Sequence, residues 1–373
     1  MQEAVRADGF GRLSRAVGLL GFALVLLPAL SACGNRDEDP SAAAASGDAG
    51  EIQGPRPVVC DEAAALPTDL RCTGLYSDFS TKAVSPEARE FSPALSLWSD
   101  GATKRRWLFL PPGSKIDTSN MDEWVFPVGT KVWKEFLIEG KTVETRMFAK
   151  KAAAKWVYTT YVWDTDGSRA SRLDTGQGQV VGTYEIPDTV HCSQCHNGHA
   201  DRLLGLEAVS LGLPGATGIT LTTLKGEGRL SAPPEATTLA LPGDERAQRA
   251  LGYLHVNCGI TCHSQNAAGT ASFTGLLLRL SARALLSPAG DAGARTAADT
   301  DSYKTTLGKP IVSAEYLDDP RFASHKLITP GNPDKSLLFA VVAERGKGQM
   351  PPIVSHQVDD TGVKLLREWI GAL

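Results

Sequence analysis

Between Leu95 and Pro187 the apolar positions fall into short runs rich in β-branched and aromatic residues. "RRWLFL", "TKVWKEFLI", "KTVETRMFA" and "KWVYTTYVW" each have the length and composition of a strand. Turn signals separate them at Pro111 to Gly113, Glu139 to Gly140 and Asp164 to Gly167. The pattern predicts an antiparallel sheet folded as a small sandwich or barrel, with Trp107, Trp133, Trp156 and Trp163 in its core.

Further along the period changes. "HADRLLGLEAVSLGL" reads as partly helical and stops at Pro214-Gly215. Leu230 to Gly243 is rich in Thr and Pro and reads as a linker. In "DERAQRALGYLHVN" Ala250, Leu251 and Leu254 share one side of a helix. Ser287 to Tyr303 is of low complexity and predicts a surface loop. The last segment, "VDDTGVKLLREWIGAL", opens on Asp359 and Asp360. It places Val363, Leu365, Leu366, Trp369 and Ile370 as the apolar side of a terminal helix. The fold class expected is α+β and multidomain, an antiparallel β-rich domain followed by a mostly α-helical one. The expected divisions are 1–32, 33–57, 58–190, 191–243 and 244–373.

The N-terminal apolar run changes the picture of where the chain works. Arg6, Arg12 and Arg15 precede Ala16 to Leu30, a run that fits the h-region of a signal peptide better than a membrane span. It ends in "LSAC", which resembles a bacterial lipobox, so residues 1–32 are expected to be removed and Cys33 to carry lipid. Simple secretion with cleavage near Ala32 is the alternative. The expected location is periplasm-facing outer membrane or cell surface, with contact to the membrane through the lipid. Residues 34 to 57 are small and polar and read as a flexible tether. The 373 residues carry 38 basic and 42 acidic side chains, a net charge of −4 that offers nothing to a nucleic acid.

Export favours oxidised or modified thiols, and the seven cysteines sort accordingly. Cys60 and Cys72 stand outside any motif and suggest a short-loop disulfide. The other four form "CSQCH", Cys192 to His196, and "CGITCH", Cys258 to His263. In Cys-x-x-Cys-His the sulfurs stand about one helical turn apart, able to reach two vinyl groups on one haem edge, and the His follows to meet the iron. A zinc site pooling the four thiolates, or a redox dithiol, is the competing chemistry for the first motif. The second motif has one residue too many. Positions four apart on a helix still share a face, and Gly259 gives the backbone freedom to bulge. A short-loop disulfide beside a chance His is the alternative there.

Context favours haem at both. A helix leads into "CGITCH"; "GQMPP" holds Met350 between turn-forming residues; a terminal helix follows, and Gly252 and Tyr253 could meet Trp369 where the helices cross. Met350 is the expected sixth ligand of the second haem, with His356 as its rival. For the first haem His325, His356, Met121 and Met147 are candidates, and an open sixth position is another; His191 and His199 flank the motif too closely. Arg345 and Lys347 next to Met350 could serve a docking surface for redox partner proteins.

The segments "LWSDGATKRRWLFLPPGSKI", "WVFPVGTKVWKEF", "VETRMFAKK", "WVYTTYVW", "CSQCH", "YLHVNCGITCH", "LITPGNPDKSLL" and "MPPIVSHQVDDTGVKLLREWI" follow in this order. From Leu95 to Leu373 the chain resembles a family of exported bacterial dihaem c-type cytochromes with a β-rich part ahead of the haem motifs. It departs from the family in the spacing of the second motif. The resemblance implies two haem c groups on Cys192, Cys195, Cys258 and Cys262, iron ligation by His196 and His263, and electron transfer without a named substrate. A peroxidase-like dihaem oxidoreductase, with an open site at the first haem, is the alternative function. A zinc- or disulfide-stabilised binding lipoprotein is a third.

Overall fold

The computed structural model describes residues 58–373 apart from 62–63, 65, 174–175, 177, 200, 267–270 and 288–295. The expected signal peptide, the lipid site Cys33 and the tether lie outside the described residues.

A hairpin, β1 (Tyr76–Asp78) with β2 (Ala83–Val84), precedes a seven-stranded antiparallel sheet. The sheet contains β3 (Arg89–Ser92), β4 (Thr103–Phe109), β5 (Lys131–Ile138), β6 (Lys141–Ala152), β7 (Lys155–Trp163) and β8 (Ala170–Arg172) as a meander. The short β11 (Thr217–Gly218) pairs with the β3 edge. A second hairpin joins β9 (Gln179–Val181) to β10 (Tyr184–Ile186). The helices are α1 (Thr189–His196), α2 (Ala208–Gly212), α3 (Leu221–Gly226), α4 (Glu245–Leu254), α5 (Ala282–Leu286), α6 (Asp301–Thr306), α7 (Ala314–Leu317), α8 (Leu337–Ala343) and α9 (Asp360–Gly371).

The mixed α+β class holds, but the sheet is open rather than a sandwich or barrel: its order runs β11-β3-β4-β5-β6-β7-β8, with β8 and β11 at the edges. The tight Glu139–Gly140 turn, both residues at positive φ, makes β5 and β6 neighbours. A second sheet is not needed, because each face is covered by other parts of the chain. On one face Trp107, Trp133, Met147, Tyr161 and Trp163 pack with Leu70, Leu75 and Tyr76. On the other Leu108, Val132, Phe148 and Trp156 pack with Leu206, Val209, Leu211, Leu224, Leu251 and Leu280. All four tryptophans expected in the core are buried.

That second core is shared by strands and by the helical segment, and Pro57–Leu373 form one compact unit. The stretch read as a linker is part of it. Leu230 and Leu239 are buried, Leu239 donates its amide to the Gly212 carbonyl, and Ile116 and Leu230 form a β-bridge. The described end of the low-complexity stretch is not a surface loop: Asp301–Thr306 is α6, with Ser302 fully buried. Its side of the protein is tied to the terminal helix by Trp369 Nε1, which donates to the Tyr303 hydroxyl.

Helix α4 crosses α9, each capped by an aspartate: Asp244 accepts from the Ala247 amide and Asp359 from the Gly362 amide. The crossing differs from expectation. Tyr253 lies over Gly362, where a Cβ would stand 2.4 Å from the ring; Gly252 faces Leu95 and Leu241 instead; Trp369 meets Tyr303. No helix among the described residues is long and apolar enough to cross a membrane.

Candidate functional site

Both Cys/His motifs open onto one cavity of about 380 Å³. Ordinary ligand clefts occupy about 300–1,000 Å³. Cys192, Cys195, His196, Cys258, Cys262, His263 and Met350 all line it, among apolar residues such as Leu276, Ile311, Leu338 and Val341.

The first motif is helical. Asp188 caps α1 by accepting from the His191 amide, and the helix places Cys192 and Cys195 one turn apart before His196. The His196 ring packs on Phe148 of β6 at 4.4 Å. Its Nδ1 lies 2.5 Å from the Arg202 carbonyl oxygen. A carbonyl only accepts, so Nδ1 carries the proton and Nε2 keeps its lone pair. Arg202 holds that carbonyl in place from a left-handed backbone, φ 62°. Burial pushes the His196 pKa down to about 3, and the neighbouring Lys134 and Arg146 push the same way, so the ring is neutral at ordinary pH.

The second motif absorbs its extra residue in a different way from that expected. Helix α4 passes into a π-helical turn over His255–Gly259, with Ile260 donating to the His255 carbonyl and His263 to the Cys258 carbonyl. A π-turn is a one-residue insertion in an α-helix. Gly259 serves by its size: a Cβ there would stand 2.5 Å from backbone atoms of Leu278 and Arg279. His263 is buried, which pushes its pKa down to about 4 against the opposing effect of the Leu276 carbonyl. Gly198, just past the first motif, is equally confined, because a Cβ would lie 2.3 Å from the Thr261 carbonyl oxygen of the second. The two motifs therefore touch through their backbones.

Cys60 and Cys72 are joined in a disulfide with Cα atoms 5.4 Å apart. The four motif cysteines are not in disulfides. Burial raises the pKa of Cys192, that of Cys195 to about 11 and that of Cys258 to about 12. A redox dithiol needs the opposite shift. Among the described residues no three His, Cys, Asp or Glu side chains are grouped so that they could hold a metal ion.

Of the other histidines and methionines weighed as ligands, His191 lines the cavity beside its own motif, and His325, His356, Met121, Met147 and His199 do not. Met147 is buried under the opposite sheet face and Met121 packs on the shared core. His325 sits in a separate surface pocket with Arg321 and Phe339. His356 is half exposed and its Nε2 contacts Glu185. His199 is buried beside Glu123 and Arg279. The backbone amides of His356 and Gln357 donate to Asp100, and Trp98 Nε1 donates to the Gln357 carbonyl. These bonds fasten the loop after Met350 to the sheet side of the cavity rim. Arg345 is engaged in the same fastening, donating to the Gln357 and Val342 carbonyls.

Sequence reading missed Lys134 and Arg146, which also line the cavity. The available signal was their period: each sits two residues from a buried Val132 or Phe148 on the same strand face. Arg146 is bonded to Glu144 through Nε and Nη2, at 2.9 and 2.6 Å, and Tyr184 donates to the same carboxylate.

The arrangement offers two neutral, buried imidazoles, two pairs of thiols and a thioether to one mostly apolar space. Such groups could hold a flat apolar cofactor with an iron centre. Comparison with protein-family models, with curated proteins and with solved structures finds no match to this chain.

Proposed function

We propose that this protein is an exported c-type cytochrome that carries electrons through two covalently attached haems. The finer architecture that goes with it is a β-rich part followed by a cytochrome c-like helical part. The membrane would be reached through lipid on Cys33, and other redox proteins would be its partners. One observation carries the reading: both Cys/His motifs and Met350 open onto the same apolar cavity.

Cys192 with Cys195, and Cys258 with Cys262, would be the thioether positions. His196 and His263 would supply nitrogen to the two irons, and Met350 sulfur to the second. The haems supply the one-electron couple when bound. The chain's own part is to hold and enclose. The Arg202 carbonyl keeps the proton on His196 Nδ1 and so keeps Nε2 available. Leu276, Ile311, Leu338 and Val341 exclude water from the space between the motifs. The backbone contact at Gly198 keeps the motifs adjacent, as electron exchange between two centres requires.

A second reading, a peroxidase-like dihaem oxidoreductase, draws support from the whereabouts of the sixth-ligand candidates. His325, His356, Met121 and Met147 all stand away from the cavity lining, which favours an open position at the first motif.

Expression in a host with haem-maturation machinery, followed by a pyridine haemochrome spectrum and an intact mass, tests the proposal. Two haem additions are expected. One addition lost in a Cys258→Ser variant would place the second haem on "CGITCH", whereas wild-type protein without haem would refute both readings. Carbon monoxide binding by the reduced protein would select the oxidoreductase.

A further inference from the structure

The sheet face under the cavity carries a row of cations that neither motif uses. Arg106 on β4 stands directly opposite Lys134 on β5, and Lys134 opposite Arg146 on β6. Lys104 lies two residues before Arg106 on the same face. Like charges directly opposite across strands repel one another, and burial weakens the screening that would relieve them. The Lys134 ammonium falls well below its usual pKa, through burial first and then through Arg106, Lys104 and Arg146. Burial pulls Arg106 down to about 10 and Lys104 to about 7.

The anion within the group is Glu144, and Arg146 and Tyr184 already occupy it. Lys104 donates to the Leu97 carbonyl, with Asp359 as its more distant counter-charge. Among the described residues the Lys134 and Arg106 side chains have no hydrogen bond or ion pair; Lys134 rests over the Phe136 ring at 4.7 Å. Arg146 Nη1 is likewise uncommitted among the described residues. Lys134 and Arg146 face the cavity. Arg146 stands two residues from Phe148, the ring that supports His196.

We infer that Lys134 and Arg146, which line the cavity, form a carboxylate-binding site at its floor, with Arg106 next to Lys134 in the row but outside the cavity lining. Side chains directly opposite on neighbouring strands start about 5 Å apart, a spacing that lets the two oxygens of one carboxylate bridge adjacent cations. Charge-assisted bonds to lysine and arginine are the strong kind, and they would remove the repulsion along the row. Two sources carry this chemistry. One is the carboxylate side chains of the haem at the first motif, in which case the site rests on the electron-transfer reading. The other is a small free carboxylate entering the cavity.

Lys134→Met keeps the apolar stem and removes the charge. Lys131→Met, on the same strand but bonded to the Thr73 carbonyl, is the control. Resonance Raman spectra of the purified holoprotein read the bending modes of the haem carboxylates. These modes are expected to shift in Lys134→Met and to stay in place in Lys131→Met, with two haem additions in both masses. If they stay in place in both, a succinate titration decides. A rise in the wild-type thermal midpoint that Lys134→Met loses assigns the site to a free carboxylate. No mode shift together with no succinate response overturns the site. Because the mass counts haem separately, a haem-free wild type refutes the electron-transfer reading while the succinate titration still decides the row. Lys134→Gln serves if Lys134→Met does not fold.

Discussion

At the scale of single residues, a few buried hydrogen-bonded pairs do the positioning around the site. Lys150 and Asp201 form a fully enclosed pair at 2.7 and 2.8 Å, and Trp156 Nε1 donates to the same carboxylate. This fixes Asp201, and with it the neighbouring Arg202 carbonyl that orients His196. Glu207 does comparable work at the start of α2. Burial alone would raise its pKa, but the His255 ring 3.5 Å away and the Ser210 amide outweigh that and bring it from its ordinary 4.5 to about 2. A carboxyl depressed on folding stabilises the folded state above its unfolded pKa and loses that contribution as pH falls through the folded value. Stability should therefore drop by on the order of 3 kcal/mol between about pH 4.5 and pH 2. Urea titrations at several pH values check this. Glu207→Gln should be less stable at pH 7 and flatter across the acid range; an unchanged acid slope would assign the loss to other carboxyls.

At the scale of elements, two close approaches decide how the helices meet the site. The π-turn at His255–Gly259 lets α4 deliver Cys258, Cys262 and His263 despite the extra residue, and it is wedged against the Leu278–Arg279 backbone. Backbone cannot yield as a side-chain tip can. Gly259→Ala should therefore cost at least about 3 kcal/mol, the upper end of ordinary overpacking. Thermal denaturation reads that cost; on the electron-transfer reading, intact mass should also show the second haem addition lost while the first remains. The α4–α9 crossing is a milder case. Gly362→Ala would gain about 1 kcal/mol of helix propensity but force the Tyr253 ring aside. The net effect should be destabilising, and Tyr253→Ala in the same chain should reverse its sign. Additive effects in this double-mutant cycle would mean that the ring does not limit the crossing.

At the scale of the whole molecule, the first of the described residues are tied to the sheet. The Cys60–Cys72 disulfide closes a 12-residue separation beside Asp69, Leu70 and Leu75, which sit on the outer sheet face. Loop-closure entropy for a ring of that size gives about 3 kcal/mol. A Cys60→Ser/Cys72→Ser protein should lose roughly that much in denaturant titrations; on the electron-transfer reading its haem count should stay unchanged, because the cavity lies on the other face. Loss of haem in that variant would show that the two faces are coupled more tightly than the sheet alone implies.

Much of this was legible along the chain, and the exceptions have physical causes. Local pattern determined the four long strands, the tight turns between them, helices α4 and α9 with their aspartate caps, and the position of each Cys/His motif. These depend on neighbours within a few residues. Tertiary structure alone decided the rest. The sheet stays open because Leu70–Tyr76 cover one face and residues 203–280 the other, pairings separated by long stretches of chain. The Thr/Pro-rich stretch is built into the core because Leu230 and Leu239 find distant partners, although its composition reads as a linker. Gly259 reads as a flexible residue until the Leu278–Arg279 backbone is seen against it. The cation row is invisible in one dimension, because Arg106, Lys134 and Arg146 are neighbours only through strand register. Local propensity and spacing are encoded residue by residue; a shared cavity and a cross-strand row exist only once the chain brings remote segments together.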